Sequence, residues 1–368
     1  MKLTKEIVKI VSGEDTPVLL LDLANISLKY HEIRSSIRNV EIFYAMKANN
    51  DPKILKLLVD EGCGFEVASE PELRSVLSLG VPPQRIMSMH PIKGPKFLRS
   101  LESKGVEIMA FDSFEEVDKI SAFAPGSKLV LRIIVDNEGS DWPLTKKFGV
   151  EASQAPDLIR YASGKGLNVY GLTFHVGSQC NNKDNWAQAI GECRNVWTKA
   201  LGEGSNPQFI SLGGGIPIRQ THSVPSLDEI GKVIADSVKL NFPTAEGLKL
   251  SIEPGRGLVG DSGLMVTTVL GKAQRGNENW IYVDAGVFNA LMETVEHYKY
   301  EIKTLSRKKK KVFTIAGPSC DSVDVMFENV SINDVEIGDQ LFILNSAAYT
   351  TVYASNFNGF SIPKIVYI

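Results

Sequence analysis

Between about residues 42 and 253 the apolar positions of this chain follow a repeating order. Short runs rich in Val, Ile, Phe and Leu alternate with longer stretches whose apolar residues recur every three or four positions. The short runs read as buried strands and the spaced stretches as amphipathic helices, so the alternation predicts βα units around a parallel sheet. Strands are predicted over Ile42–Met46, Gly64–Ala68, Arg85–Met89, Glu107–Asp112, Leu129–Val135, Gly171–Val176, Phe209–Leu212 and Leu248–Glu253. Helices fit over Pro52–Asp60, Glu70–Leu79, Pro95–Lys104, Phe114–Ala122, Ala155–Ser163, Asn185–Leu201 and Leu227–Lys239. Within Pro95–Lys104, for instance, Phe97, Leu98 and Leu101 share one face and charges fill the other.

Eight parallel strands, each followed by a helix, close most simply as a (β/α)8 barrel, although an open doubly wound sheet satisfies the same alternation. The unusual residues favour the barrel. Lys47, Glu66, Ser69, His90, His175, Gly213–Gly215 and Glu253–Arg256 all fall at or just past a strand's last residue, on the face where such barrels keep their active sites. After about Leu258 the rhythm changes to short strands with turn signals: Leu264–Leu270, Trp280–Val283, Lys311–Ile315, Gln340–Leu344 and Ser361–Tyr367. The expected class is therefore α/β: a (β/α)8 TIM barrel over 28–258, then an all-β C-terminal domain over 259–368. The segment 1–27 is expected to join the β-domain through a strand at Val18–Leu21.

Composition narrows the function. The net charge of −3 lacks the basic surplus a nucleic-acid protein needs, and the run Arg307–Lys311 reads as a solvated turn. Cys63, Cys180, Cys193 and Cys320 form neither a disulfide framework nor, with histidines, a metal-ligand spacing, so no metal is expected. The opening apolar stretch is short and broken by charges, and no segment is long and apolar enough to span a membrane. A cytoplasmic protein is the simplest expectation.

Two glycine-rich loops fall after the seventh and eighth strands: Gly213-Gly214-Gly215 and Glu253-Pro254-Gly255-Arg256-Gly257. Glycines let backbone N–H groups approach a ligand, and in barrels these two positions often build a phosphate site. Lys47 would lie in the same mouth, where burial and neighbouring charge can lower a lysine pKa and allow Schiff-base chemistry. A phosphate site and a mouth lysine together describe a place for pyridoxal 5′-phosphate.

In these and further motifs the chain resembles the alanine-racemase-like, group IV pyridoxal-phosphate decarboxylases, most closely the ornithine/lysine/arginine decarboxylase branch. The motifs are YAMKANN (44–50), GFEVAS (64–69), FDS (111–113), LRI (131–133), KFG (147–149), FHVGSQ (174–179), LGGG (212–215), EPGRG (253–257), GPSCDSVDV (317–325), AYT (348–350) and FNGF (357–360). The resemblance implies that Lys47 carries the cofactor and His175 stacks on its ring. It implies that Ser178, Gly214, Gly215, Gly255, Arg256 and Tyr349 surround the phosphate. Glu66 would take the place of an acidic residue in the mouth, often aspartate in relatives, and Arg132 would support the floor. Glu253 would keep the pyridine nitrogen protonated, deepening the electron sink. Cys320 and Asp321 would cross a homodimer interface into the partner's site, the thiol as proton donor to the substrate α-carbon and the carboxylate as a contact for the distal amine.

The implied reaction is decarboxylation of a basic L-amino acid, ornithine or lysine, to a diamine of polyamine biosynthesis. Many eukaryotic-type relatives carry an aspartate directly before a glycine in the segment matching 283–288. Here Ala285 fills that position and Asp284 precedes it; in a strand, one residue of shift turns a side chain to the other face. Asp284 and Glu293 are the two acidic candidates for a cationic substrate. Two other readings use the same fold. A racemase would need a second base where this chain has Cys320 and Asp321, and would place an arginine where it has Glu253. A non-catalytic homologue would be expected to lose cofactor residues, whereas Lys47, His175 and Arg256 are intact.

Overall fold

A computed structural model of the chain describes residues 1, 3–144, 147–243 and 247–368. It opens with helix α1 (Lys5–Val11) and strand β1 (Val18–Leu21), followed by α2 (Leu23–Ser36). Eight parallel strands then form one sheet. They are β2 (Glu41–Ala45), β3 (Gly64–Glu66), β4 (Ile86–Met87), β5 (Ile108–Phe111), β6 (Lys128–Arg132), β8 (Asn168–Thr173), β10 (Phe209–Ser211) and β11 (Lys249–Ile252). The strands neighbour one another in the order β4-β3-β2-β11-β10-β8-β6-β5. A parallel bridge between Ser88 and Met109 joins the two ends and closes the barrel. A short hairpin, β7 (Ser140–Trp142) with β9 (Ser178–Cys180), lies outside the barrel sheet.

The expected strand Arg85–Met89 shrinks to two residues. Pro82 and Pro83 fix a 3₁₀ turn up to Arg85, since proline cannot donate to a ladder, and Ser88 then makes only the closing bridge. The helices between strands form close to where the apolar spacing puts them. Ser69, at the end of the GFEVAS segment, is the N-cap of the helix Glu70–Ser78, its hydroxyl accepting from the Glu72 N–H.

Strand parity explains what fills the barrel and what rises from it. Phe43, Met87, Met89, Ala110, Val130, Tyr170 and Phe209 form one interior cluster, with Tyr170 and Phe209 stacked at 5.5 Å. Gly64 makes room for it: a Cβ there would lie 2.6 Å from the Phe43 ring. Side chains alternate across a strand. Two residues beyond Ala110, Val130 and Phe209 on the same inward face come Asp112, Arg132 and Ser211. Glu66 follows Gly64 in the same way. The alternate positions, such as Tyr44, Phe65, Leu129 and Ile210, belong to the cluster beneath the helices.

The β-domain runs through β12 (Gly263–Arg275), β13 (Glu278–Val283), β14 (Ile302–Thr304), β15 (Lys310–Ala316), β16 (Val325–Asn333), β17 (Gln340–Leu344) and β18 (Lys364–Tyr367). As expected, β1 joins it, pairing antiparallel with β12 and parallel with β18. The sequence reading missed β14 and β16. In β16 the apolar alternation breaks at Asn329, which takes a φ of +57°. Helix α1 was also missed; Thr4 caps it, and Ile7 and Val11 pack beside Val18, Leu264 and Phe342. Among the described residues, no helix is long and apolar enough to cross a membrane.

Candidate active site

Strand β2 ends at Ala45 and passes into a 3₁₀ turn, Met46–Ala48, that lifts Lys47 into the barrel mouth. The turn is tied from several sides. Ala45 N–H donates to Pro254 O at 3.1 Å, Tyr349 N–H to Ala48 O at 2.7 Å, and the buried Tyr44 hydroxyl to Asn49 O at 2.8 Å. Asn49 in turn reaches Ala347 O at 2.7 Å. The position of Lys47 is thus set jointly by the eighth barrel strand and the β-domain.

Glu66 and Glu253, both buried, face Lys47. The protein around Lys47, the largest influence, lowers its pKa, but Glu66, Tyr349 and Glu253 outweigh it and the net direction is upward. The lowered lysine expected from sequence is therefore not what this mouth produces, because two carboxylates favour the ammonium. Burial pushes Glu253 up to about 7, with the like charge of Glu66 adding to it and the Ser211 hydroxyl, which donates to Glu253 Oε1, opposing it. Arg132 stands beside the same carboxylates and over the Phe148 ring at 5.3 Å. Asp112 is not free for chemistry: its Oδ2 accepts from Gly149 N–H at 2.7 Å, joining the FDS and KFG segments.

His175 follows β8. Burial, then Arg132 and Lys47, hold its imidazole well below its ordinary pKa, so the ring is neutral. Its Nδ1 accepts from Gly177 N–H at 3.0 Å, which leaves the proton on Nε2. His90, three residues past β4, is also held below its ordinary pKa by burial and then Lys93; its Nδ1 accepts from Ile92 N–H.

The glycine loop is a cradle with no room for side chains. Gly213 and Gly215 have φ of +63° and +97°, and a Cβ on them would lie 2.1 Å from Phe174 O and 2.5 Å from Gly177 O. A Cβ on Gly214 would lie 2.8 Å from Glu253 O and 3.3 Å from His175 Nε2. Gly214 and Gly215 N–H have no protein partner among the described residues. Ser178 borders the cradle at the start of β9. Across from it, Gly255 passes between Ala48 and the Tyr349 hydroxyl, where a Cβ would meet them at 3.1 and 3.2 Å. Arg256 is 4% exposed and its Nε is buried without a partner. Free backbone donors, a buried guanidinium with an unused N–H, and a lysine in the same mouth fit a phosphate-bearing aldehyde cofactor.

The two acidic candidates for the substrate have protein partners. Asp284 turns into the β-domain: its Oδ1 accepts from Thr268 N–H at 3.0 Å and the Thr267 hydroxyl at 2.5 Å, and its Oδ2 from the Thr16 hydroxyl. The one-residue shift read from sequence does direct it away from the mouth. Glu293 grips Arg256 through both carboxylate oxygens, Nη1 to Oε2 at 2.9 Å and Nη2 to Oε1 at 2.5 Å. Sequence reasoning had no signal for this pair, whose members are 37 residues apart.

Cys320 and Asp321 are exposed on the loop between β15 and β16. Among the described residues, neither makes a hydrogen bond or ion pair with a mouth group of its own chain. The Cys320 thiol and N–H both donate to Asn358 Oδ1 at 3.2 Å. The loop is built around Asp324, a buried carboxylate accepting from Val287 N–H at 2.7 Å and Ser319 N–H at 2.9 Å.

Barrel, cradle and mouth lysine together are those of a phosphate-cofactor enzyme. Residues 23–260 match the family model of the pyridoxal-dependent decarboxylases, pyridoxal binding domain, and the chain belongs to that family; its cofactor is pyridoxal 5′-phosphate. The chain is 31% identical to the lysine/ornithine decarboxylase of Selenomonas ruminantium, over 99% of this chain and 92% of the relative. It is also 31% identical to antizyme inhibitor 2 of Xenopus laevis, over 99% and 84%. The lysine/ornithine decarboxylase of Vibrio vulnificus, solved with cadaverine, superposes with a TM-score of 0.91 at 29% identity and full coverage of both chains.

Proposed function

We propose that this enzyme decarboxylates a basic L-amino acid, lysine or ornithine, to the corresponding diamine. The observation that carries the reading is Lys47 flanked by Glu66 and Glu253 in the mouth that also holds the glycine cradle and Arg256. Bound pyridoxal phosphate supplies an electron sink conjugated to the substrate α-carbon, so the bond to the carboxylate can break with loss of CO2. Lys47 Nζ is the attachment point. Gly214, Gly215, Ser178, Gly255, Arg256 and Tyr349 would hold the phosphate, and His175, neutral, would support the cofactor without adding charge. Glu253 would hold a proton at the pyridine nitrogen, its carboxylate fixed by the Ser211 hydroxyl with Arg132 as a nearby counter-charge. Antizyme inhibitor 2 shows that similarity alone does not choose between enzyme and regulator; the intact Lys47, His175, Glu253 and Arg256 favour the enzyme.

The working unit in this reading is a homodimer in which Cys320 and Asp321 complete the partner's site, the thiol giving its proton to the α-carbon and the carboxylate meeting the distal amine. Support comes from the loop that carries them. Both are exposed, and Val323 and Phe357 beside them present apolar side chains at 52% and 40% exposure, a surface that association would cover. The four cysteines are free thiols, which supports a cytoplasmic setting.

The test is a screen for released CO2 and amine with ornithine, lysine, arginine and diaminopimelate. Turnover of lysine or ornithine is expected. Racemisation without CO2, or no reaction with any basic amino acid, overturns the reading. Mixing inactive Lys47→Ala protein with Cys320→Ala protein, which is impaired in forming diamine, is expected to raise the diamine yield above that of either alone, because heterodimers regain one complete site. A mixture whose diamine yield does not rise while subunits demonstrably exchange rejects the shared site.

A further inference from the structure

Arg256 is held in an unusual way for an anion-binding arginine. Its guanidinium carbon lies 4.5 Å from the ring centre of Tyr298, 4.9 Å from Tyr349 and 5.1 Å from Trp142. Three aromatic rings and 4% exposure leave it almost no water. Glu293, itself only 12% exposed, occupies both Nη groups from the end of the fork. On the other edge of the fork, the Nε–H is buried and unpartnered.

We propose that Glu293 is a positioning residue for the cofactor phosphate and not a contact for the substrate. The inference rests on the reading of Arg256 as a phosphate ligand. Arginine presents five N–H donors in a rigid plane. A carboxylate that takes the end of that plane bidentately fixes its tilt and leaves the Nε side for a second anion. The aromatic rings favour the cation on their faces but do not set its rotation about the side-chain axis; the Glu293 fork does. The same pair supplies a counter-charge whenever the site is empty, so the guanidinium is not left buried and unpaired.

Glu293 sits on the 3₁₀ turn Met292–Glu296 of the β-domain, while Arg256 opens helix α10 (Arg256–Val259) directly after the last barrel strand. Tyr349 reaches the same guanidinium from the loop after β17. The phosphate end of the site is thus completed by β-domain residues of the same chain. The charge of Glu293 works against a phosphate, yet the guanidinium lies between the two anions, so loss of orientation is the larger effect when the fork is broken. A glutamine at 293 keeps the shape but offers one acceptor where two donors need one each.

The test compares cofactor binding by full-length Glu293→Gln, Glu293→Asp and wild-type protein, titrated with pyridoxal phosphate and separately with pyridoxal, which lacks the phosphate. Glu293→Gln is expected to weaken pyridoxal phosphate by about 10-fold or more, the scale on which outer partners of a ligand act, with pyridoxal affinity unchanged. Glu293→Asp should recover part of the loss, and melting of the cofactor-free proteins checks that all remain folded. Unchanged or tighter pyridoxal phosphate binding overturns the proposal, as does an equal loss for pyridoxal. A raised substrate KM with intact cofactor affinity would return Glu293 to the substrate. An Arg256→Gln protein that still prefers pyridoxal phosphate over pyridoxal would instead reject the phosphate reading of Arg256, whatever Glu293 does.

Discussion

Lys47→Ala is expected to leave a folded protein that loses pyridoxal phosphate on dialysis and turns over slower by ~10³-fold or more, the scale of losing a group that both anchors and transfers protons. Folding should survive because the Lys47 side chain is exposed in the mouth, and the turn that carries it is held by the backbone bonds of Ala45, Ala48 and Tyr349. Removing the ammonium leaves Glu66 and Glu253 with Arg132 as the cation beside them, so the variant should also favour a protonated Glu253 more strongly than the wild type. Borohydride reduction of the wild-type enzyme, followed by peptide mass mapping, should find the cofactor's mass on the peptide containing Lys47. The mass on another lysine would overturn the assignment, and a Lys47→Ala protein that keeps its yellow colour and its rate would do the same.

The barrel and its mouth were legible because both follow from local pattern. A strand's period of two puts Glu66, Arg132 and Ser211 on the inward face once Gly64, Val130 and Phe209 are inside, and chain order alone puts Lys47 and Glu253 at strand ends. The glycine cradle was legible for a similar reason: no side chain fits at Gly213 or Gly215, so the requirement is written in the residues themselves. What stayed hidden depends on long-range partners. The Arg256–Glu293 fork joins the barrel to the β-domain, and nothing in either motif announces the other. The partners of Asp284, which are Thr16, Thr267 and Thr268, come from two other segments of the chain and carry no local signal. The hairpin of β7 and β9 brings Trp142 over Arg256 with only three residues per strand, too few to show a period. Lys47 stands in the mouth, as chain order implies, but the sign of its pKa shift depends on Glu66 and Glu253 together, which no local pattern announces.

Replacing Glu253 with Gln is expected to separate the electrostatic role of this carboxylate from the acid role of Cys320. In cofactor-free protein, burial and Glu66 raise Glu253 from the ordinary value of about 4.3 to about 7. The folded protein therefore binds a proton that the unfolded chain has released between those values. Stability from this group is full below the lower value and is lost as pH rises through the upper one, by a few kcal/mol at about 1.4 kcal/mol per pH unit. Glu253→Gln cannot titrate, so its melting temperature between about pH 4.5 and 7.5 should fall less steeply than the wild type's. In the loaded enzyme a proton on the pyridine nitrogen draws Glu253 back to the carboxylate, and the glutamine cannot hold that proton by charge. Loss of CO2 should slow by on the order of 10²-fold, as when other preorganised electrostatic groups are removed. Cys320→Ala should behave differently: CO2 still leaves, but the α-carbon lacks its proton donor, and aldehyde should rise relative to diamine among the products. A Glu253→Gln enzyme with unchanged CO2 release and the wild-type pH slope would place this carboxylate outside the chemistry. A Cys320→Ala enzyme that forms clean diamine at the wild-type rate would leave the thiol as a surface group held by Asn358.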